Sequence, residues 1–198
     1  GTVTRFESRF ERFEPEPGPP AAGGDTLLDF GSHLVDQALV LLGPVTGVYA
    51  EWRVRESGLD DDVFVALTHA DDARSHLWGS WSQGAPGDRF RVGGTEGAYV
   101  VGGPMDRPEV ALLAGQTPAT LGERWGAEPQ ERWGRLRRGD AGLVVPTERG
   151  RWDTFYPAFA AAVRGQGPVP VDPRDAVETA RVLDAARHSA TEGTVVGL

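Results

Sequence analysis

Residues 3–13 set Val3, Phe6, Phe10 and Phe13 among Arg5, Glu7, Arg9, Glu11 and Arg12, a loose alternation that predicts a strand with one wet face. Pro15 to Gly24 carries four prolines and three glycines in ten residues, which predicts a loop. A helix is expected from Asp25 to Leu42, with Asp25 as N-cap and Gly43-Pro44 as stop. Strand patterns then follow at Val45–Arg55, Val63–Ala70, Ser75–Gln83, Asp88–Gly94 and Ala98–Gly102. The short links Asp71-Asp72-Ala73-Arg74 and Thr95-Glu96-Gly97 fit hairpins, so this part of the sheet is expected to be antiparallel. Residues 103–150, rich in Gly, Pro and Arg, show weak periodicity; irregular structure is expected there, with one strand near Glu109–Ala114.

Two helices are expected to close the chain. Trp152–Arg164 puts Phe155, Phe159 and Val163 on one stripe and ends at Gly165. Asp172-Pro173 supplies an N-cap and a first-turn proline for a run to about Ala190, with Ala176, Ala180, Leu183 and Ala186 inward. Thr194–Val196 suits a last strand. A run of strands with helices before and after predicts an α+β domain over 1–198: an open, mainly antiparallel sheet with helices packed on one face.

The first helix carries a pattern of its own. Asp29, His33 and Asp36 project within about 60° of one another at helical spacing. Leu27, Leu28, Leu34, Val35, Ala38, Leu39, Leu41 and Leu42 cover most of the remaining circumference, so the helix is expected to be buried on most sides. Three ionisable groups on such a helix need partners or a purpose. Three readings fit: a satisfied ion network, a metal site built on one imidazole and two carboxylates, or acid–base chemistry in which a carboxylate orients His33 as a proton acceptor. Gly31, inside the helix, is there for close approach of a ligand or for tight packing on the sheet.

Composition narrows the chemistry. The chain has 198 residues, no cysteine and a net charge of −9. Disulfides, thiolate metal sites and cysteine nucleophiles are excluded; the absence of cysteine suits a reducing cytoplasm. The charge disfavours nucleic acid, and no apolar run is long enough to span a membrane. Arg135-Leu136-Arg137-Arg138 is expected to be a solvated loop. All 20 basic residues are arginine, so a general base must come from His33, His69, His76, His188, a carboxylate or a tyrosine. His69 and His76 are expected as an exposed hairpin pair, with a cross-strand metal pair as the sharper alternative, and His188 as a surface residue. Trp52, Trp78 and Trp81 are expected on sheet faces, covering the core, feeding a subunit contact or offering a sugar platform. No Gly-x-Gly-x-x-Gly joins a strand to a helix; Gly93-Gly94-Thr95-Glu96-Gly97 reads as a hairpin turn.

The run Gly23-Gly24-Asp25-Thr26-Leu27-Leu28-Asp29-Phe30-Gly31-Ser32-His33-Leu34-Val35-Asp36, then Gly43-Pro44-Val45, resembles the C-terminal domain of the Gfo/Idh/MocA oxidoreductases, the glucose–fructose oxidoreductase and inositol dehydrogenase family. Phe90 through Gly97 looks like that family's late hairpin. Phe155–Gly165, Pro168–Asp172 and Ala185–Ala190 look like its closing helices.

The resemblance implies the substrate-binding and catalytic half of an NAD(P)-dependent oxidoreductase acting on a sugar, cyclitol or similar polyol. Asp29 and His33 match the family's catalytic Asp and His, and Asp36 matches a position facing the substrate. NAD or NADP belongs to an N-terminal Rossmann domain, with a Glu-Lys-Pro motif, that this chain lacks; none is expected to bind here alone. The open sheet is expected to make a homo-oligomer. The alternative is a non-catalytic ligand-binding or dimerisation module on the same fold.

Overall fold

The computed structural model describes residues 1–16, 18–19, 24–105 and 107–198. Part of the expected loop over 15–24, and Gly23 of the motif, lie outside the described residues. The elements are β1 (Val3–Glu11), α1 (Thr26–Leu42), β2 (Val45–Val54), β3 (Asp60–His69), β4 (Arg74–Ser80), β5 (Phe90–Gly94), β6 (Ala98–Val101), α2 (Arg107–Leu113), α3 (Pro118–Leu121), β7 (Gly134–Arg138), β8 (Ala141–Val145), α4 (Phe155–Val163), α5 (Pro173–Glu192) and β9 (Val196–Gly197). Among the described residues the strands form one nine-stranded open sheet in the order β8-β7-β6-β5-β1-β4-β3-β2-β9. Every pairing is antiparallel except β1 with β4, so the first strand enters between β5 and β4.

Alternation decides the faces. Phe6 and Ser8 of β1, Val48 and Ala50 of β2, Val63, Val65 and Leu67 of β3, and Leu77 of β4 are buried. They meet Leu27, Leu34, Val35 and Ala38 of α1 and Val182, Leu183, Ala185 and Ala186 of α5 in one core. Close approach is built in at Gly79, where an added Cβ would sit 3.0 Å from Val63 and 3.1 Å from Thr26. Gly31 plays the same part between helices: its missing Cβ would lie 3.2 Å from Leu27 and 3.5 Å from Leu183, so the close packing is against α5 rather than the sheet. Both helices are capped as expected, Asp25 accepting from the Leu28 amide (3.1 Å) and Asp172 from the Arg174 amide (2.9 Å).

Several expectations are corrected. Residues 107–113 form α2, not a strand: Pro108 suits a first helical turn and the residues after it are good helix formers. The Arg135–Arg138 cluster is strand β7, joined to β8 by the two-residue turn Gly139-Asp140, with Leu136 opposite Leu143. In α5 the buried stripe runs through Thr179, Val182, Leu183, Ala186 and Ser189, while Ala176 and Ala180 are exposed. β3 begins at Asp60, three residues early, because its acidic start hides the strand pattern. α4 keeps its expected apolar stripe, but Phe155, Phe159 and Val163 all face outward among the described residues.

Candidate active site

α1 lies across β1, β3 and β4 with Leu27, Phe30, Leu34, Val35 and Ala38 inward. That seating turns the Asp29–His33–Asp36 stripe outward. Asp29 is half-buried, and His33 and Asp36 are exposed. The expectation of a helix buried on most sides is corrected: Leu28, Leu41 and Val40 are exposed, Val40 by 79%.

The three polar residues share an open face without bonding one another. Among the described residues no hydrogen bond or ion pair joins Asp29, His33 and Asp36, so the ion-network reading has no geometry behind it. Asp36 turns toward α5, where Thr179 donates a long 3.5 Å hydrogen bond to its Oδ1. His33 turns toward β1, its ring tilted 48° to that of Phe10 with centroids 5.9 Å apart. No cluster of three metal-ligating side chains forms among the described residues.

Phe10 heads an aromatic ladder under the helix. It stacks on Phe30 at 4.3 Å, and Phe30 stacks on Trp81 at 4.9 Å. Such stacked pairs hold ring positions beyond what area burial alone would do. Arg12 sets its guanidinium within 5.4–5.5 Å of all three rings. Arg89 lies 5.4 Å from the Phe10 ring and 4.3 Å over Phe90. It also donates to Ser8 Oγ (2.6 Å) and more weakly to Gln37 Oε1 (3.4 Å). Burial pushes the Arg89 guanidinium down to about 10, which leaves it cationic at neutral pH. Gln37 sits one turn beyond His33 and accepts from both Ser8 and Arg89, so Phe10, the ring beside the imidazole, is itself backed by an arginine held in place by an amide.

These neighbours were not legible from the stripe. Phe10 and Arg12 read as ordinary strand positions, and Arg89 follows a polar link with no pattern of its own. Only the pairing of β1 with β5 brings Arg89 and Ser8 together.

The other candidates resolve differently. His69 is fully buried and bonds Gly43 and Ser75, whereas His76 points to the opposite sheet face beside Phe64 and Trp78. The expected exposed pair is therefore corrected: His69 stands opposite Ala73 on β4's approach, and His76 opposite Ala66. Trp52 and Trp81 serve the core side, and Trp78 lies on the open face with Arg9 stacked 3.9 Å over it. His188 is exposed. A groove of about 560 Å³ crosses β5–β8, lined by Val92, Tyr99, Leu136 and Leu143. Its lining is mainly apolar but includes Glu96, Arg137 and Arg138, and none of the stripe residues borders it.

Comparison with known proteins supplies the family. Residues 1–100 match the GFO/IDH/MocA C-terminal domain. The chain belongs to that family. It is 27% identical to the scyllo-inositol 2-dehydrogenase (NADP(+)) IolW of Bacillus subtilis over 99% of the chain and 57% of that protein. It is 30% identical to the uncharacterised oxidoreductase YdgJ of Escherichia coli over 96% of the chain and 58% of that protein. The solved structure of Bacillus subtilis YvaA superimposes with a TM-score of 0.87 at 26% identity, over 99% of this chain and 57% of that one. The relatives are oxidoreductases, and this GFO/IDH/MocA chain spans less than two thirds of their length.

Among the described residues no strand runs through a glycine-rich turn into a helix, and Gly93–Gly97 is the β5–β6 hairpin, closed by the Gly94 amide on the Gly97 carbonyl at 2.8 Å. No described helix is long and apolar enough to cross a membrane.

Proposed function

We propose that this chain is the substrate-binding and catalytic half of an NAD(P)-dependent oxidoreductase whose substrate is a sugar, cyclitol or similar polyol. The observation that carries the reading is the outward Asp29–His33–Asp36 stripe, held on a helix capped at both ends, with Phe10 beside the imidazole. The hydride acceptor, NAD or NADP, belongs in this reading to a separate Rossmann domain.

His33 is the base that takes the proton of the reacting hydroxyl. Asp29, one turn earlier on the same open face, offsets the charge of the imidazole once it is protonated. Asp36 accepts a hydrogen bond from a second substrate hydroxyl. The scyllo-inositol dehydrogenase named among the relatives supports a polyhydroxylated ring as the substrate class.

Two exposed surfaces suit two partners. α4 has no charged side chain from Phe155 to Val163 and leaves Phe155, Tyr156, Phe159 and Val163 uncovered, which suits docking of the nucleotide-binding domain. The open sheet face carries Arg9, Phe64, His76 and Trp78, an aromatic and arginine set suited to a second copy.

The test is turnover by the chain joined to its nucleotide-binding domain, with inositols and aldoses as substrates. His33→Ala is expected to cut kcat by at least 100-fold with little change in cofactor KM; unchanged turnover would sink the assignment.

A further inference from the structure

β3 opens with three consecutive carboxylates that go three ways. Asp62 accepts from the Ser80 hydroxyl (2.6 Å), and Asp61 pairs with Arg53 (2.9 Å). Asp60 turns beneath the first turn of α1. Its Oδ2 accepts the Leu27 amide (2.9 Å), and its backbone carbonyl accepts the Thr26 hydroxyl (2.6 Å). Asp60 is only 2% exposed, and its Oδ1 has no donor. Asp25, the N-cap of the same helix, accepts the next amide along, that of Leu28 (3.1 Å), so the two carboxyls cap neighbouring amides of one turn. Two acceptors side by side form a bond only if one of them carries a proton.

We propose that Asp60 and Asp25 hold one proton between them, and that this shared proton seats the first turn of α1 and so sets where the Asp29–His33–Asp36 stripe stands. Asp60 is thus a positioning residue. Its consequence for turnover rests on the oxidoreductase reading above; its effect on the helix does not.

The surroundings favour the shared proton. Burial, and then the Asp25 carboxyl, push Asp60 up to about 7. From α5, Arg187 lies 3.9 Å from Asp25 Oδ2 and makes its ion pair there rather than with Asp60. From β2, the residue opposite Asp60 is Val54, and Arg53 and Arg55 are both drawn to Asp61. From β4 the nearest polar group, Ser80, serves Asp62. Asp25 is the charged group that bears on Asp60 from the helix side.

A carboxyl raised in the folded state stabilises below its unfolded value, near 4, and that contribution is lost as pH rises through about 7. Above neutrality the two carboxylates repel beneath the helix.

Carbon-detected NMR of the side-chain carboxyls in the full chain reads the proton directly. One carboxyl is expected to titrate between about pH 6 and 8, and the Leu27, Leu28, Asp29 and His33 amides to shift with the same midpoint. Asp60→Asn, which keeps an acceptor for Leu27 and a donor for Asp25, is expected to abolish the shared midpoint and hold those amides near their low-pH positions. In the protein joined to its nucleotide-binding domain, the ratio of kcat at pH 8 to kcat at pH 6 is expected to be at least threefold higher in Asp60→Asn than in wild type, with substrate KM unchanged. An Asp60 carboxyl titrating below pH 5, or first-turn amides indifferent to the titration, overturns the proposal. So does an unchanged pH ratio. If no polyol is turned over at all, the oxidoreductase reading fails separately, and the NMR titration alone decides whether Asp60 seats the helix.

Discussion

His69 Nδ1 lies 2.9 Å from the carbonyl oxygen of Gly43, the C-cap of α1. Nε2 of the same ring lies 2.7 Å from Ser75 Oγ on β4. With the carbonyl as acceptor, Nδ1 must carry the proton and Nε2 accepts from the hydroxyl. Asp60 and His69 are the first and last residues of β3, so one strand grips both ends of the helix that presents the candidate catalytic stripe. That grip lets an otherwise exposed helix face keep a fixed geometry.

His69→Ala removes both hydrogen bonds and leaves a void in a fully buried place. A loss of about 2–4 kcal/mol is expected, read as a lower urea midpoint with unchanged m-value. Burial holds the His69 imidazole below its ordinary value. The stability it contributes is therefore complete above the unfolded value of about 6.5 and falls as pH drops below it. His76 is lowered chiefly by burial too and adds in the same direction, so His76→Gln is the control. A slope between pH 7 and 5 that survives both substitutions would point to other groups.

Gly31→Val tests the α1–α5 contact. A branched side chain where even a Cβ would lie 3.2 Å from Leu27 and 3.5 Å from Leu183 forces the helices apart. The expected cost is about 1–3 kcal/mol. Gly31→Ala is expected to be close to neutral, because about 1 kcal/mol gained in helix propensity offsets the small displacement. Thermal melts of the two variants should separate by several degrees; coincident melts would show that the contact yields freely.

Phe159→Asp separates docking from folding. Phe159 is 51% exposed and α4 packs on little else in the chain. The substitution is expected to leave the unfolding free energy of the chain within about 0.5 kcal/mol. It should weaken association with a separately produced nucleotide-binding domain by at least tenfold, measured by calorimetry. Equal affinity would remove α4 from the interface.

Arg9→Glu addresses the open sheet face. Arg9 stacks on Trp78 at 3.9 Å between Glu7 and Glu11. Reversing its charge places three acids in a row and abandons the ring. Sedimentation velocity is expected to show a wild-type dimer and a monomeric variant; a wild-type monomer across micromolar concentrations would remove the sheet face as a homodimer surface.

The chain's own pattern determined the features whose causes are local. Asp25 and Gly43 cap α1 where expected, because an N-cap acceptor and a C-cap with φ of 73° act within a turn of the helix they end. The spacing of Asp29, His33 and Asp36 put them on one side for the same reason, and the Gly-containing links made β5–β6 a hairpin. Tertiary structure decided everything that depends on a distant partner. Periodicity says that a helix has a buried side but not what buries it, so α1's flanking leucines and α4's aromatics looked like core until the layers showed no cover. The seat of β1 between β4 and β5, and with it the meeting of Phe10 with His33 on one side and Arg89 on another, joins residues far apart in the first hundred. Asp60 falls in the stretch between two expected strands, and His69 is expected in an exposed hairpin pair. They became the clamps of α1 because burial and long-range hydrogen bonding, which no local pattern encodes, placed them under its two ends.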